Sequence, residues 1–308
     1  MAFLTVCLNP TLQKTLRFSS IFPGTVNRTG SHRLDASGKG INVTRVLTQL
    51  GKKAVHLTQL GGDMRQIFLS LCGQDDYSVQ WVESGSQIRF CYTLLSDEDG
   101  SVTELIEESE AVHAGTEDRL LEKFDELLAR SADLNWLIIS GTKAAGFSDT
   151  LIPVMTQRAK EKGLKVILDI KGKDLSGSLK YEPDLVKPNL FEFAADFAPR
   201  LIRDNELTAI DDHAKEHIKS AVLDMARKYK CSVILTNGSR EIIAADTNNF
   251  FEVEVKPVKA INSTGCGDAF TAGLASALES GAGFREAINE GCRCGALNAA
   301  LVKPGVIQ

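Results

Sequence analysis

The chain has 308 residues, 43% of them hydrophobic, enough to bury a large core as one domain or as a domain with a smaller attachment. A net charge of -5 and the lack of any Lys/Arg run exclude an ordinary nucleic-acid binder. The opening "MAFLTVCLNPTLQKT" lacks the basic start and longer apolar stretch of a secretory signal, and no run approaches the roughly 18 apolar residues of a membrane span. The expectation is a cytoplasmic protein with neither a nucleic-acid nor a membrane partner. Seven cysteines, an odd number and scattered apart from Cys292 and Cys294, form no disulfide framework and read as small core residues in a reducing compartment.

In chain order, short runs rich in Val, Ile and Leu read as strands: "FLTVCLN" (3–9), "AVHLTQLG" (54–61), "LNWLIISG" (134–141), "KVILDI" (165–170), "DLVKPN" (184–189) and "SVILTNG" (232–238). Between them "GINVTRVLTQLG" (40–51), "TEDRLLEKFDELLARSA" (116–132) and "DTLIPVMTQRAKEKG" (149–163) carry apolar residues at helical spacing. The alternation predicts an α/β fold with a mostly parallel sheet covered by helices. Two segments break the rhythm, 11–35 and 88–108, the second with β-rich halves around the turn "DEDG". They predict a small sheet projecting as a lid over the carboxyl ends of the main strands. Further on, "DDHAKEHIKSAVLDMARKYK" is an amphipathic helix whose His213 and His217 lie on its solvated face and lack the zinc-protease pattern. After a β-rich patch, "EIIAAD" and "NNFFEVEV", come two helices. The second contains Cys292 and Cys294, two apart and so not turned the same way to share a metal. There is no internal repeat, linker or low-complexity segment.

The chemistry concentrates in two glycine-rich turns that open helices. In "INSTGCGDAFTAG", Gly265, Cys266, Gly267 and Asp268 can converge backbone N–H groups on an anion, aided by the helix dipole. Asp268 would be kept ionised there and could take a proton from an attacking hydroxyl; it could equally be a residue that only stabilises the helix start. The stretch alone leaves both open. In "DASGKGINV", Lys39 lies amid glycines, without the spacing of a Walker A loop, which occurs nowhere in the chain. This turn is either a ligand loop or a flexible helix start. The pair suggests a site with two ligands.

The ordered set "NP", "SGKGIN", "SGT", "KPN..E" and "GCGDAF" resembles the PfkB family of carbohydrate kinases within the ribokinase-like superfamily, from "TVCLNP" to "KPGVI". Within it, the chain is most similar to the phosphosugar branch, which includes 1-phosphofructokinase and tagatose-6-phosphate kinase. The resemblance implies a three-layer α/β/α sandwich forming one kinase domain over 1–308, with lid segments at about 11–35 and 88–108. It implies ATP and Mg²⁺ as cofactors, a sugar-phosphate acceptor and a homodimer through the lid. Asp268 would be the base, with the amides of Gly265, Cys266, Gly267 and Asp268 forming the anion hole. Gly38, Lys39, Gly40, Asn42 and Ser140 would face the substrate, with Lys39 and Arg89 on its phosphate. Lys187, Asn189, Thr236 and Gly238 would meet the nucleotide phosphates, Gly295 and Asn298 its adenine, and Asn189 and Glu192 the metal through water.

Four departures from the family pattern stand out. Gln13 replaces an aspartate that accepts hydrogen bonds from sugar hydroxyls, and an amide both donates and accepts. Ser37 takes a glycine position, Gly-Thr-Lys replaces Gly-Ser-Leu after Ser140, and Cys266 replaces an alanine, where the helix start is expected to lower its thiol pKa. The leading expectation is ATP-dependent phosphorylation of a hydroxymethyl of fructose 1-phosphate or tagatose 6-phosphate. The alternatives are a kinase of a neutral sugar or nucleoside, and a non-catalytic binder of the same fold.

Overall fold

The computed structural model describes residues 2–130, 133–203, 206–207 and 212–308. The chain begins with β1 (Ala2–Cys7), crosses into a smaller sheet through β2 (Thr11–Phe18) and β3 (Ser31–Ser37), and enters α1 (Lys39–Gln49). It returns through β4 (Lys53–Leu60), α2 (Arg65–Gly73) and β5 (Ser78–Glu83), then leaves again in the hairpin β6 (Arg89–Ser96) and β7 (Val102–Ile106). Next come α3 (Thr116–Arg130), β8 (Leu134–Ser140), α4 (Leu151–Glu161), β9 (Lys165–Asp169), α5 (Gly172–Ser178), β10 (Leu185–Val186) and α6 (Leu190–Phe197). The rest is β11 (Ile202–Arg203), β12 (Glu206–Leu207), α7 (Asp212–Tyr229), β13 (Ser232–Leu235), β14 (Ile242–Ala245), β15 (Phe250–Val253), α8 (Cys266–Glu279) and α9 (Phe284–Ala299). Residues 131–132, at the end of the second predicted helix, and 211, at the start of the predicted helix that contains His213, lie outside the described residues.

The main sheet has the order β15-β14-β13-β10-β9-β8-β1-β4-β5, parallel from β13 to β5. Its strands read as unbroken apolar runs because both faces are covered. Phe3, Ile138, Ile167 and Ile234 pack toward α1, α8 and α9, while Leu4, Leu137, Ile139 and Val166 pack toward α3, α4 and the helices after them. This is the predicted three-layer sandwich. On α3 the buried stripe is Leu120, Phe124 and Leu128, the i, i+4, i+8 spacing of one helix face.

The smaller sheet has the order β3-β2-β6-β7, with β2 and β6 parallel and the outer pairs antiparallel. One of its faces carries Thr11, Gln13, Thr15, Cys91 and Thr93 in register and looks toward the cleft above β1. The opposite face buries Leu12 beside Phe68 of α2. Both predicted lid segments are therefore strands of one sheet.

Several elements differ from the sequence reading, among them α2, β5 and β10. α2 and β5 were not foreseen, since α2 buries only Phe68 and Cys72 and β5 only Val82, too little apolar signal for a periodicity. "DLVKPN" runs as a strand only at Leu185 and Val186, because Pro188 has no N–H to continue the ladder, and beyond it Asn189 keeps an isolated bridge to Thr236.

Candidate active site

Gly265 caps α8 with φ of 84° and no capping side chain. A Cβ at this position would lie 2.6 Å from the Gly305 nitrogen, so both conformation and space require glycine. Asp268 is the third residue of α8, and its carboxylate does not cap the helix. It turns away to accept a 2.8 Å hydrogen bond from Asn42 Nδ2 of α1. Burial pushes its pKa up to about 6, with Asp169 adding to the rise and Lys39, Asn42 and Lys187 opposing it. A carboxylate so poised is mostly ionised at neutral pH yet able to accept a proton. The Cys266 N–H donates to Ser263 O at 3.2 Å, whereas the amides of Gly267 and Asp268, in the first helical turn, have no intrahelical acceptor.

A cleft of about 480 Å³ lies between this turn and the lid, within the usual range for small-ligand sites. Gln13 and Arg89 line it from the lid, and Gly38, Lys39 and Asn42 from the start of α1. Lys187, Asn189, Glu192 and Thr236 line its other half, with Gly265, Gly267 and Asp268 between. Segments more than 200 residues apart in the chain thus meet in one concavity, as the two glycine turns suggested.

At its base stands Asp169, at the end of β9, which the sequence reading did not single out. It is buried and accepts from Ser140 Oγ at 3.0 Å and Thr271 Oγ1 at 3.4 Å, with Lys187 Nζ at 3.2 Å and Lys39 Nζ at 3.8 Å. Burial alone would raise its pKa, but Lys187, Lys39 and Ser140 outweigh it and hold Asp169 below the usual carboxylate value. Asp169 in turn is the main cause of an upward shift at Lys39, which also lies 4.0 Å from Glu192 Oε1. Lys39 is therefore a permanent cation standing between the two halves of the cleft.

Asn189 and Glu192 form a reciprocal capping box at the start of α6: Asn189 Oδ1 accepts from Glu192 N (2.7 Å), and Glu192 Oε2 accepts from Asn189 N (3.0 Å). Glu192 Oε1 stays outside the box, beside Lys171 (3.9 Å) and Lys39. An anionic oxygen of this kind suits Mg²⁺ approached through water, and Asn189, its oxygen already engaged, acts by holding Glu192. On the lid, Gln13 Nε2 donates to Thr93 Oγ1 at 2.7 Å. Arg89 Nη1 donates to Glu107 O at 3.2 Å, while its buried Nε has no partner.

Six of the expected residues do not line the cleft, for different reasons. Gly40 lets α1 approach Val6 O, and a Cβ there would come within 2.6 Å. Ser140 acts through Asp169. Gly238, with φ of 60°, has open space around it, and Gly295 admits Cys266 O, 3.2 Å from where its Cβ would stand. Asn298 is fully buried: Nδ2 donates to Thr264 O (3.0 Å) and Oδ1 accepts from Val306 N (3.1 Å), so its amide braces the turn from behind. Cys266 turns its thiol to Asn262 O and Asn298, and burial raises its pKa, which corrects the expected lowering by the helix start. Two contacts unforeseen in the sequence close the site: Thr264 Oγ1 donates to the lid's Glu104 at 3.0 Å, and Gly305 packs on Asn42.

The profile of pfkB family carbohydrate kinases matches residues 6–305. The chain belongs to the pfkB family of carbohydrate kinases. Phosphofructokinase-2 from Escherichia coli, solved in complex with fructose-6-phosphate, is similar with a TM-score of 0.81 and 22% identity, over 97% of this chain and 93% of that one. A protein described as a possible 1-phosphofructokinase from Thermotoga maritima gives a TM-score of 0.82 at 18% identity, over 98% and 93% of the two chains. Ribokinase from Thermotoga maritima gives 0.71 at 16%, over 99% and 94%. At these identities the likeness is one of fold, ribokinase-like, and the family carries the activity: this pfkB kinase is an ATP-dependent sugar kinase.

Proposed function

We propose that the kinase phosphorylates a hydroxymethyl group of a phosphorylated ketohexose, with fructose 1-phosphate and tagatose 6-phosphate as leading acceptors. The observation that carries the phosphosugar reading is Arg89, which lines the cleft with Lys39 and keeps a buried donor, Nε, without a partner. A buried unsatisfied donor is costly, and a phosphomonoester supplies acceptors for a guanidinium and an ammonium together. A neutral sugar would leave the Arg89 guanidinium facing the cleft without an anion.

Asp268 accepts the proton of the attacking hydroxyl, and the amides of Gly267 and Asp268, at the positive end of α8, stabilise charge on the phosphoryl group in flight. Lys39 and Lys187 add positive charge along the same line. When bound, Mg²⁺ supplies electrostatic neutralisation of the nucleotide phosphates, and Glu192 with Asn189 behind it would hold it through water. Thr236 and Gly238 border the nucleotide, and Gly295 with Asn298 shapes its side of the site from beneath. Gln13, tethered to Thr93, meets the sugar hydroxyls.

In this reading the whole chain is one kinase unit, with 11–35 and 88–108 as its lid. A homodimer through the lid accounts for the exposed Leu105 and Ile106 on β7, about half accessible. Seven unpaired cysteines suit the cytoplasm.

A coupled ADP-release assay across neutral sugars, nucleosides and ketohexose phosphates tests the proposal. A ketohexose phosphate should be the best acceptor, and Arg89→Met should raise its KM about tenfold or more while leaving that for ATP within about twofold. A neutral sugar or nucleoside as best acceptor would refute the phosphosugar reading, and no stimulation by any acceptor would favour the non-catalytic alternative.

A further inference from the structure

Arg45 lies in the middle of α1, a charged residue only 1% exposed. Its guanidinium makes four hydrogen bonds: Nε donates to Asp75 (2.6 Å), Nη2 to Ala36 O (2.5 Å), and Nη1 to both Pro304 O (3.1 Å) and Asn42 Oδ1 (2.9 Å). The last bond bears on the reaction. The amide of Asn42 could point either way, and only one orientation presents its NH₂ to Asp268. A guanidinium has donors and no acceptor, so it demands the oxygen of Asn42 on its own side. Ser37 Oγ donates to the same oxygen at 3.2 Å, and the nitrogen is left for Asp268 Oδ2 at 2.8 Å.

We infer that Arg45 is a positioning residue for catalysis, which fixes the amide of Asn42 so that it donates to the carboxylate of Asp268. The inference rests on the reading of Asp268 as base. Arg45 does not line the cleft and touches no substrate. A flipped amide would set NH₂ against guanidinium and oxygen against carboxylate, two repulsions in place of two bonds. The Arg45 clamp also spans three separate segments: Ala36 leads from the lid strand β3 into α1, Asp75 follows α2, and Pro304 precedes the Gly305 that packs on Asn42.

Other charges act on both ends of this chain of contacts. Asp268 faces Lys39 of α1, Asp169 of β9 and Lys187 after β10, with the thiols of Cys7 and Cys266 near it. Arg45 faces Asp35 and Arg33 of β3, Asp75 and Tyr77, with Lys303 on the far side of Asp75 and His56 of β4 and Cys72 of α2 beside it. None of these groups can replace the oriented amide as a neutral donor to Asp268, so loss of the orientation makes the carboxylate harder to ionise.

The test compares Arg45→Lys, Asn42→Ala and the double variant in kcat, KM and the pH dependence of kcat, with thermal melts to establish folding. Lysine keeps a charge for Asp75 but cannot fork to Asn42 as well. Arg45→Lys should lower kcat at neutral pH about tenfold, leave both KM values within about twofold, and move the acid limb up by about one pH unit. On the Asn42→Ala background the same change should cost less than about twofold, since no amide remains to orient. Losses that simply multiply, or an unmoved acid limb in folded Arg45→Lys, overturn the inference. Should Arg45→Lys not fold, Asn42→Ala decides it: an acid limb at the wild-type position overturns it. Asp268→Asn serves as control, because activity surviving there removes the base itself, whereas an inactive Asp268→Asn beside a normal Arg45→Lys overturns only the positioning role.

Discussion

Asp268 is held in the fold at a cost. Its pKa is raised from 3.8 to about 6, so the folded chain binds its proton more tightly than the unfolded chain does. The penalty is absent below the unfolded value and complete above the folded one, at the pH where the enzyme works. Asp268→Asn should therefore raise the unfolding free energy near neutral pH by about 1–3 kcal/mol, read as a melt a few degrees higher, while activity collapses. A melt that falls would mean that the ionised carboxylate is a net stabiliser of the site. At Gly265, where φ is 84° and a Cβ would strike the Gly305 nitrogen, Gly265→Ala should cut kcat by about two to three orders of magnitude. Steady-state kinetics on a folded variant with near-normal kcat would show that the turn tolerates a shift. The Cys266 thiol, pushed up by burial, should label slowly whether or not ATP is present.

The same residues show where a sequence is legible. Gly265, Lys39 and Asp268 declare themselves because glycine turns and helix starts leave local marks. Asp169 does not: it is one carboxylate ending an apolar run, and its importance comes from Lys187, Ser140 and Thr271, which arrive from other segments. Arg45 reads as an ordinary polar position in "GINVTRVLTQLG", yet the lid strand, α2 and the C-terminal segment bury it. Asn298 and Cys266 failed in the opposite direction, since their side chains are used up within the fold.

Among elements, the hairpin β6–β7 is tied to the Gly265 turn by the bond from Thr264 to Glu104. An exposed hydrogen bond to a carboxylate is worth about 0.5–1.5 kcal/mol. Glu104→Ala should raise the acceptor KM about 2–10-fold and speed hydrogen exchange in β6 and β7, with little change in the melt. Unchanged exchange would show that the lid stays closed without this contact. Strands buried on both faces were readable as apolar runs, and the helices α1, α3 and α4 by their spacing. α2 and β5 were not, because α2 buries only Phe68 and Cys72, and β5, an edge strand of the main sheet, only Val82.

For the molecule as a whole, strand order exceeds what periodicity can give. β1 is first in sequence yet sits between β8 and β4, so the chain winds out in both directions from it and opens a crevice at the strand ends, where the site lies. The covered sheet also buries His56, whose pKa is lowered from 6.5 to about 3 by burial and by the Arg45 charge. A neutral imidazole favoured by the fold gives full stability above about pH 6.5, lost as the pH falls toward 3; Asp268 works in the opposite sense over a narrower range. Asp75 and Asp184, both held below the normal carboxylate value, add to the acid loss. In Asp268→Asn, where the opposing carboxylate is removed, denaturant unfolding should show stability falling below about pH 6.5, and adding His56→Asn should flatten that fall. An Asp268→Asn curve that is level from pH 7 to pH 4.5 would refute this account of the core.

The most direct measurement of the central claim is the kcat of wild type and Asp268→Asn with the best ketohexose phosphate and ATP, from pH 5 to 9. Wild-type activity should fall on the acid side of about pH 6, as Asp268 protonates, and the variant should lose about three orders of magnitude or more and show no such limb. A variant that retains a tenth of wild-type kcat, or keeps the same acid limb, would contradict the assignment of Asp268 as the base.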